Sequence, residues 1–461
     1  MAREQEGQLR TSAADVPRGF ELIQRMERVP LCQWHALPRV IMGSATFFDA
    51  FGALTIAFVL PALIGAWKLS PGQIGAMISV GYLGQIFGAL FFGWLAERVG
   101  RTKAVALAMT VDGIMSLCCA FSSSFFQLAV FRTLQGCGLG GEVPVAATYI
   151  NELCEARGRG RFVMLYETIF PCGVLGASLM GILMVPRFGW QSMFILGGIP
   201  ALVIAVLVYR LPESPRWLIG KDRLEEAEAI VQQVEAATPV RIEPPVGRVV
   251  PATGTAAKTR WSEVLSPFYR RRTLIVWILW ASTYFVYYGI GTWLPSIYRT
   301  VYHLSVSDSL RWGSIANILQ VLIVAASALL VDRLGRKLWF GLSFFISATL
   351  MFSLGLLGAK TPESVVVLGS LTFAVLGSNA TMLYLYTPEI YPTRMRAAGT
   401  GLATSFLRAA SAAGPFLVGF VLKGGGIAAV FLVFGAVTVI GLLATLGATE
   451  TRRRQLEEIN P

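Results

Sequence analysis

Asp49, Arg132, Glu142, Glu167 and Arg408 are charged residues that each interrupt an otherwise apolar stretch. A charge moved into hydrocarbon costs at least ~2.5–3.5 kcal/mol on insertion scales, so each should face protein or water and is a functional candidate. Arg408 carries a permanent, planar charge that can hold a carboxylate through two hydrogen bonds. A fixed ion pair with a buried acid is the other reading of it. Asp49, Glu142 and Glu167 are carboxylates suited to loading and releasing a proton, with Arg132 as a partner. For Asp49 a helix-packing hydrogen bond is the alternative, and Asp112, in another apolar stretch, is read as structural. Tyr284, Phe285, Tyr287 and Tyr288 fall in the middle of one run. They suit stacking on an aromatic ring, and packing alone explains them equally well. Trp277 and Trp293, at the ends of that run, read as an interfacial belt.

The elements that hold these residues follow from composition. Of 461 residues only 14% are charged, against roughly 25% in soluble proteins. Mean hydropathy is +0.61, and several runs reach the ~20 residues needed to cross hydrocarbon. The chain reads as an all-α polytopic membrane protein of twelve transmembrane helices in two pseudo-symmetric six-helix bundles. The spans are placed at 39–66, 72–96, 103–121, 125–153, 160–184, 191–210, 272–298, 310–332, 337–358, 363–387, 397–422 and 425–448. Residues 1–38 form a polar N-terminal segment without the pattern of a signal peptide. Residues 39–210 and 272–448 form the bundles, 211–271 a linker with a short helix over 222–236, and 449–461 a tail.

The net charge of +12 follows topology. Of 39 Lys and Arg, six (Lys68, Arg187, Arg299, Arg311, Lys360 and Lys423) fall in loops on one face and two within spans, which leaves 31 on the other. The positive-inside rule makes that basic face cytoplasmic, with both termini on it and the chain in a cell membrane, such as a bacterial inner membrane. Nucleic acid is not an expected partner; the lipid bilayer is, and a monomer is expected. The six Cys lack metal-ligand spacing, and no P-loop, HExxH or nucleophile elbow is present. Neither an enzyme nor a cofactor or metal is expected.

The chain repeats itself. After Gly93, the residues Glu97, Arg98, Gly100 and Arg101 return as Asp332, Arg333, Gly335 and Arg336, with Asp332 standing where the first copy has Glu97. Glu152 and Arg157 return as Glu389 and Arg394 at nearly the same step along the chain. This set reads as a cytoplasmic latch, formed when a carrier faces outward and broken when it faces inward; static loop structure is the alternative. The isolated charges do not repeat. Shifted by that step, Asp49 falls near Phe285, Arg132 near Gly369, Glu142 near Asn379 and Glu167 near Thr404, and Arg408 falls back near Pro171.

The segments GWLAERVGRTK (93–103) and VDRLGRK (331–337) resemble the duplicated signature of the major facilitator superfamily. RTLQGCGLGGE (132–142), LPESPRWL (211–218) and YTPEIYPTRMRAAGTG (386–401) are similar to further motifs of its sugar porters and their organic-ion relatives. FFDAFGALTIAF (47–58), GGEVPVAATYINE (140–152) and SFLRAASAAGP (405–415) resemble the metabolite:proton symporters, close to nicotinate transporters and organic-anion carriers. That resemblance implies a substrate site near the midplane between two halves that rock against each other. It implies import of a small aromatic or heterocyclic monocarboxylate, nicotinate- or benzoate-like, by proton symport. Arg408, Tyr284, Phe285, Tyr287, Tyr288 and Asn379 form the expected substrate set. A sugar or polyol carrier, an organic-cation carrier and an uncoupled uniporter or exchanger are the alternatives. Sugar porters carry amides in the seventh span, and residues 272–298 have neither Asn nor Gln. Relatives carry a second acid in the first span where this chain has Gly52, which leaves Arg132 without its usual partner.

Overall fold

A backbone crossing hydrocarbon must satisfy its own N–H and C=O groups, and these apolar runs do so as helices. The computed structural model describes residues 18–29, 32–153, 168–238, 261–357, 359–392 and 395–452. The first bundle is built from α2 (Ala36–Trp67), α3 (Pro71–Val99), α4 (Arg101–Ala120), α5 (Phe125–Glu152), α6 (Ile169–Phe188) and α7 (Gln191–Tyr209), preceded by a short α1 (Arg18–Arg28). Helices α8 (Pro215–Gly220) and α9 (Leu224–Ala236) follow it. The second bundle holds α10 (Arg270–Thr300), α11 (Val306–Leu334), α12 (Arg336–Leu357), α13 (Pro362–Glu389) and α14 (Arg396–Leu446). Among the described residues, ten helical segments are long and apolar enough to cross a membrane. Helix α5, with Arg132 and Glu142 in its interior, is an eleventh. Helix α14 crosses twice, because Gly426 breaks it at φ 68°. The expected eleventh and twelfth spans are thus one run with a hinge, and the first and seventh begin two or three residues earlier than expected.

The backbone carries the repeat further than the sequence motifs do. Left-handed residues recur in register: Lys68 (φ 52°) with His303 (φ 54°), Gly100 (111°) with Gly335 (87°), and Gly189 (79°) with Gly426 (68°). The first two pairs share one spacing, and the third is slightly wider. Helix lengths locate the change: α3 and α11 have 29 residues each and α5 and α13 28 each, but α4 has 20 and α12 has 22. The second half therefore carries its extra residues in α12.

Helix starts on the two faces are capped differently. Away from the basic face, hydroxyls do the work: Ser70, Ser124, Ser305 and Thr361 accept from the backbone N–H three residues on at 3.1–3.4 Å. On the basic face Ser214 caps α8 in the same way, but carboxylates cap α4 and α12. Glu213 accepts from the Arg101 N–H at 2.9 Å and from the Thr102 hydroxyl at 2.9 Å. Glu450 accepts from the N–H groups of Arg336 (3.1 Å) and Lys337 (3.0 Å). Each anion lies at a helix N-terminus, where the dipole favours it. Glu213 and Glu450 are themselves counterparts in the repeat. So are Tyr149 and Tyr386, whose hydroxyls bond the Pro212 and Thr449 carbonyls at 2.8 and 2.9 Å. Gly100 and Gly335 are needed twice over, because each has a positive φ and a Cβ on either would collide with its glutamate.

Losing one such cap costs about 1–2 kcal/mol. Glu213→Ala and Glu450→Ala should each lower the thermal midpoint in detergent accordingly. Burial pushes the Glu450 carboxyl up, but the N–H groups of Arg452, Arg336, Lys337 and Thr451 outweigh it and hold the carboxyl below the usual range. A depressed folded value stabilises above the unfolded glutamate value, about 4.3, and the contribution is lost as pH falls through the folded value. The gap between wild type and Glu450→Ala should therefore narrow between pH 7 and pH 4; a constant gap would count against the cap.

The N-terminal segment contains an element that the sequence reading did not anticipate. Leu22, Met26 and Val29 of the α1 region are buried, while Arg25 pairs with Glu235 of α9 at 2.6 Å and Arg18 pairs with Glu228. The apolar positions recur at helical spacing, but the segment is too polar overall to register as a span.

Candidate substrate site between the halves

A cavity of about 50 Å³ lies between the bundles, room for a few waters at ~10–15 Å³ each. The first half supplies Val143, Phe170 and Pro171, and the second Tyr284, Tyr287, Tyr288, Gln320, Tyr384 and Arg408. Substrate entry therefore requires the halves or the rings to move apart.

Helices α3 and α14 run antiparallel across the interface and close it away from the basic face. A Cβ on Gly75 would sit 3.0 Å from the Pro415 carbonyl oxygen, and Ser79 donates to the Ala412 carbonyl at 2.8 Å. Trp293 donates to the Pro415 carbonyl at 3.0 Å. Pro415 has no N–H to offer the Ser411 carbonyl and so interrupts the helix ladder, and the bonds from Ser79 and Trp293 fall on either side of this break. Further along the same seam, Arg408 donates to the Gln85 side-chain oxygen. Gln85 is itself placed by close packing of α3 on α5, where a Cβ on Gly140 would overlap the Gln85 backbone. Small residues permit such approach in lipid.

The aromatic wall is ordered. Tyr284 stacks on Trp280 at 5.5 Å, Tyr287 on Phe373 at 4.6 Å, and Tyr288 meets Tyr82 of the other half at 4.8 Å. Gln320 donates to the Tyr287 hydroxyl at 2.7 Å.

Beside this wall lie the acids. Thr46 donates to Glu142 at 3.1 Å. Asp49 is 4% exposed and one of its oxygens has no hydrogen-bond partner. It lies close enough to feel the charges of Glu142, Arg408 and Asp112. Arg132 is turned inward within the first half. It donates to the Gly52 carbonyl at 3.1 Å and to Gln135 at 2.8 Å, and Gln135 donates to Asp112 at 3.0 Å. A Cβ at position 52 would stand 3.6 Å from an Asp112 oxygen, so Asp112 already occupies the neighbourhood of the missing first-span acid.

Three expectations need correction. Phe285 lies outside the cavity and packs edge-on to Phe434 at 6.2 Å, because it projects from a different side of α10 than Tyr284, Tyr287 and Tyr288. Asn379 is fully buried but does not line the cavity, although its neighbours Gly377, Ala380 and Thr381 do. Trp293 is fully buried at the interface between the halves and is no belt residue. Glu167, Arg157 and Arg394 lie outside the described residues, as does the side chain of Asp332.

The repeated charges form bonds inside each half. Arg101 pairs with Glu97 at 2.9 Å and with Glu152 at 3.2 Å, and Arg336 pairs with Glu389 at 3.0 Å. Arg98 lies over the Trp94 ring at 4.2 Å, Arg333 is exposed, and a Cβ on Gly93 would meet open space.

Sequence reasoning missed Gln85 and Gln320. They are counterparts in the repeat, with the spacing of Gly100 and Gly335, and both reach the centre, one holding Arg408 and the other holding Tyr287. Searching the repeat for uncharged polar pairs would have found them, as a search for matched acids would have found Glu213 and Glu450.

Two six-helix bundles around a central, tyrosine-lined cavity with a guanidinium in its wall define a secondary carrier. The sequence profile of the sugar (and other) transporter family matches residues 44–461. The chain belongs to that family, within the major facilitator superfamily. It is 34% identical over 444 residues to the niacin transporter NiaP of Acinetobacter baylyi, covering 95% of this chain and 100% of that one. It is 30% identical over 384 residues to the putative niacin/nicotinamide transporter NiaP of Bacillus subtilis, covering 82% and 86%. Among solved structures, the partially occluded inward-open xylose transporter XylE of E. coli superposes with a TM-score of 0.71 at 19% identity, covering 92% of this chain and 99% of that chain. That likeness bears on the fold alone.

Proposed function

We propose that this carrier imports a small aromatic or heterocyclic monocarboxylate together with protons, by alternating access. The observation that carries the reading is Arg408, a permanent charge in the wall of a cavity whose other lining residues are tyrosines, apolar residues, Gln320 and Thr381. A carboxylate is the ligand that matches a planar guanidinium through two bonds, and a ring suits the tyrosine wall. The niacin transporters among the relatives support the same class.

The basic face is cytoplasmic in this reading, with both termini on it, and the closed seam of α3 on α14 seals the outer face. The repeated charges pair within each half while the outer seam is closed, which favours static joints over a latch that breaks when the carrier faces inward. Asp49 and Glu142 couple transport to protons. When a substrate carboxylate takes Arg408, these neighbouring acids lose part of their counter-charge, and a proton restores the balance. Moving an uncompensated anion inward costs ~2.3 kcal/mol per 100 mV, so at least one proton must accompany it.

Gln85 and Gln320 favour a second reading, a sugar or polyol, because they bring to the centre the amides that α10 lacks. A neutral solute would bring no carboxylate to match the planar fork of Arg408. Uptake of labelled nicotinate, benzoate, glucose and tetramethylammonium into proteoliposomes, with and without a pH gradient, separates the readings. Nicotinate and benzoate should accumulate only with the gradient. Glucose entry without either acid would overturn the proposal.

A further inference from the structure

We propose that Tyr287 and Gln320 form a reader for a ring heteroatom, so that the site prefers a heteroaromatic carboxylate to its all-carbon analogue. This rests on the monocarboxylate reading above and narrows it.

Both residues line the same cavity as Arg408 and are nearly sealed from solvent, at 3% and 2% exposure. The Gln320 amide donates to the phenol oxygen at 2.7 Å. Its own carbonyl oxygen has no hydrogen-bond partner. The phenol's single proton is then free to point elsewhere, and no hydrogen bond donated by Tyr287 is seen among the described residues. Turning the amide over exchanges the roles but not the outcome: amide and phenol together still offer at least one spare donor and one spare acceptor. Stacking of Tyr287 on Phe373, at 4.6 Å and 7°, fixes the direction of the hydroxyl. A buried polar group left unmatched is costly.

Arg408 and this pair therefore make two polar anchors in one aromatic-lined space. A carboxylate fits the first. A ring nitrogen fits the second, accepting from the spare donor or, when protonated, donating to the spare acceptor. Benzoate satisfies the first anchor and leaves the second unmatched. A site built to bond a polar group discriminates strongly against an analogue that lacks it, and for one neutral pair the expected preference is roughly 10–100-fold.

The test is equilibrium binding of nicotinate and of benzoate to the purified full-length carrier in detergent, repeated with Tyr287→Phe and Gln320→Leu. Wild type should prefer nicotinate by at least tenfold. Both variants should bring the two affinities together by weakening nicotinate more than benzoate, and thermal midpoints measured alongside establish that they fold. Equal affinities in wild type, or an undiminished preference in both variants, would overturn the inference and leave the monocarboxylate reading standing. Failure of wild type to bind either acid would remove that reading, and the inference with it.

Discussion

Arg408→Ala should abolish saturable nicotinate uptake while leaving a folded carrier. A bidentate, charge-assisted pair is worth about 3 kcal/mol or more, which corresponds to a hundredfold or greater loss of affinity. The variant also loses the bond to Gln85 across the seam, so uptake alone would not separate binding from closure. Arg408→Lys does. It retains a charge but not the planar fork, and should recover part of the affinity. A role confined to holding α3 and α14 together predicts instead that Gln85→Leu matches the damage of Arg408→Ala. A fixed ion pair with Asp49 or Glu142 would make Arg408→Ala harmful to stability and rescuable by removing the acid. Substrate binding predicts no such rescue. Dissociation constants and thermal midpoints for these variants decide among the three.

Glu142→Gln and Asp49→Asn should uncouple the carrier without stopping it. A pH difference of one unit is worth about 1.4 kcal/mol per proton, or roughly tenfold accumulation for one-to-one symport. Either variant should still exchange labelled for unlabelled nicotinate across a vesicle at equal pH, yet reach only the equilibrium distribution when a gradient is imposed. Glu142 accepts from the Thr46 hydroxyl, and a glutamine oxygen can accept the same bond, so the packing of α2 on α5 should survive. Loss of exchange together with accumulation would make these acids structural. Asp112→Asn is the matched comparison, because its hydrogen bond runs through Gln135 to Arg132 inside the first half, away from the substrate cavity. If Asp112→Asn alone abolished accumulation, the coupling site would move to that network.

Much of this was legible in the sequence, for identifiable reasons. Long apolar runs leave a backbone no choice but helices, so the twelve crossings followed from composition. The repeated Arg and Gly residues marked the turns because a tight turn between two spans needs them. Arg408 stood out because a permanent charge at span depth has few harmless explanations. What was hidden depended on side-chain direction and on pairing across the fold. Phe285 is adjacent to Tyr284 in sequence but projects from another side of α10, and span boundaries uncertain by a residue or two cannot resolve that. Gln85 and Gln320 were passed over because neutral amides carry no insertion penalty large enough to single them out. Glu213 lay in a recognised motif, but its capping of α4 needs the end of α7 to return to the α3–α4 turn. Helix α1 was missed because its stabilising partners, Glu228 and Glu235, lie far along the chain on α9.

Nicotinate-driven proton movement tests the central claim most directly. Purified carrier is reconstituted into vesicles containing a trapped pH-sensitive dye, with equal pH on both sides and the potential clamped. Nicotinate added outside should acidify the lumen at the rate of its own uptake, and Arg408→Ala vesicles should show neither signal. Nicotinate entry without lumenal acidification, or undiminished entry and acidification in Arg408→Ala, would contradict a proton-coupled carboxylate carrier with its anion site at Arg408.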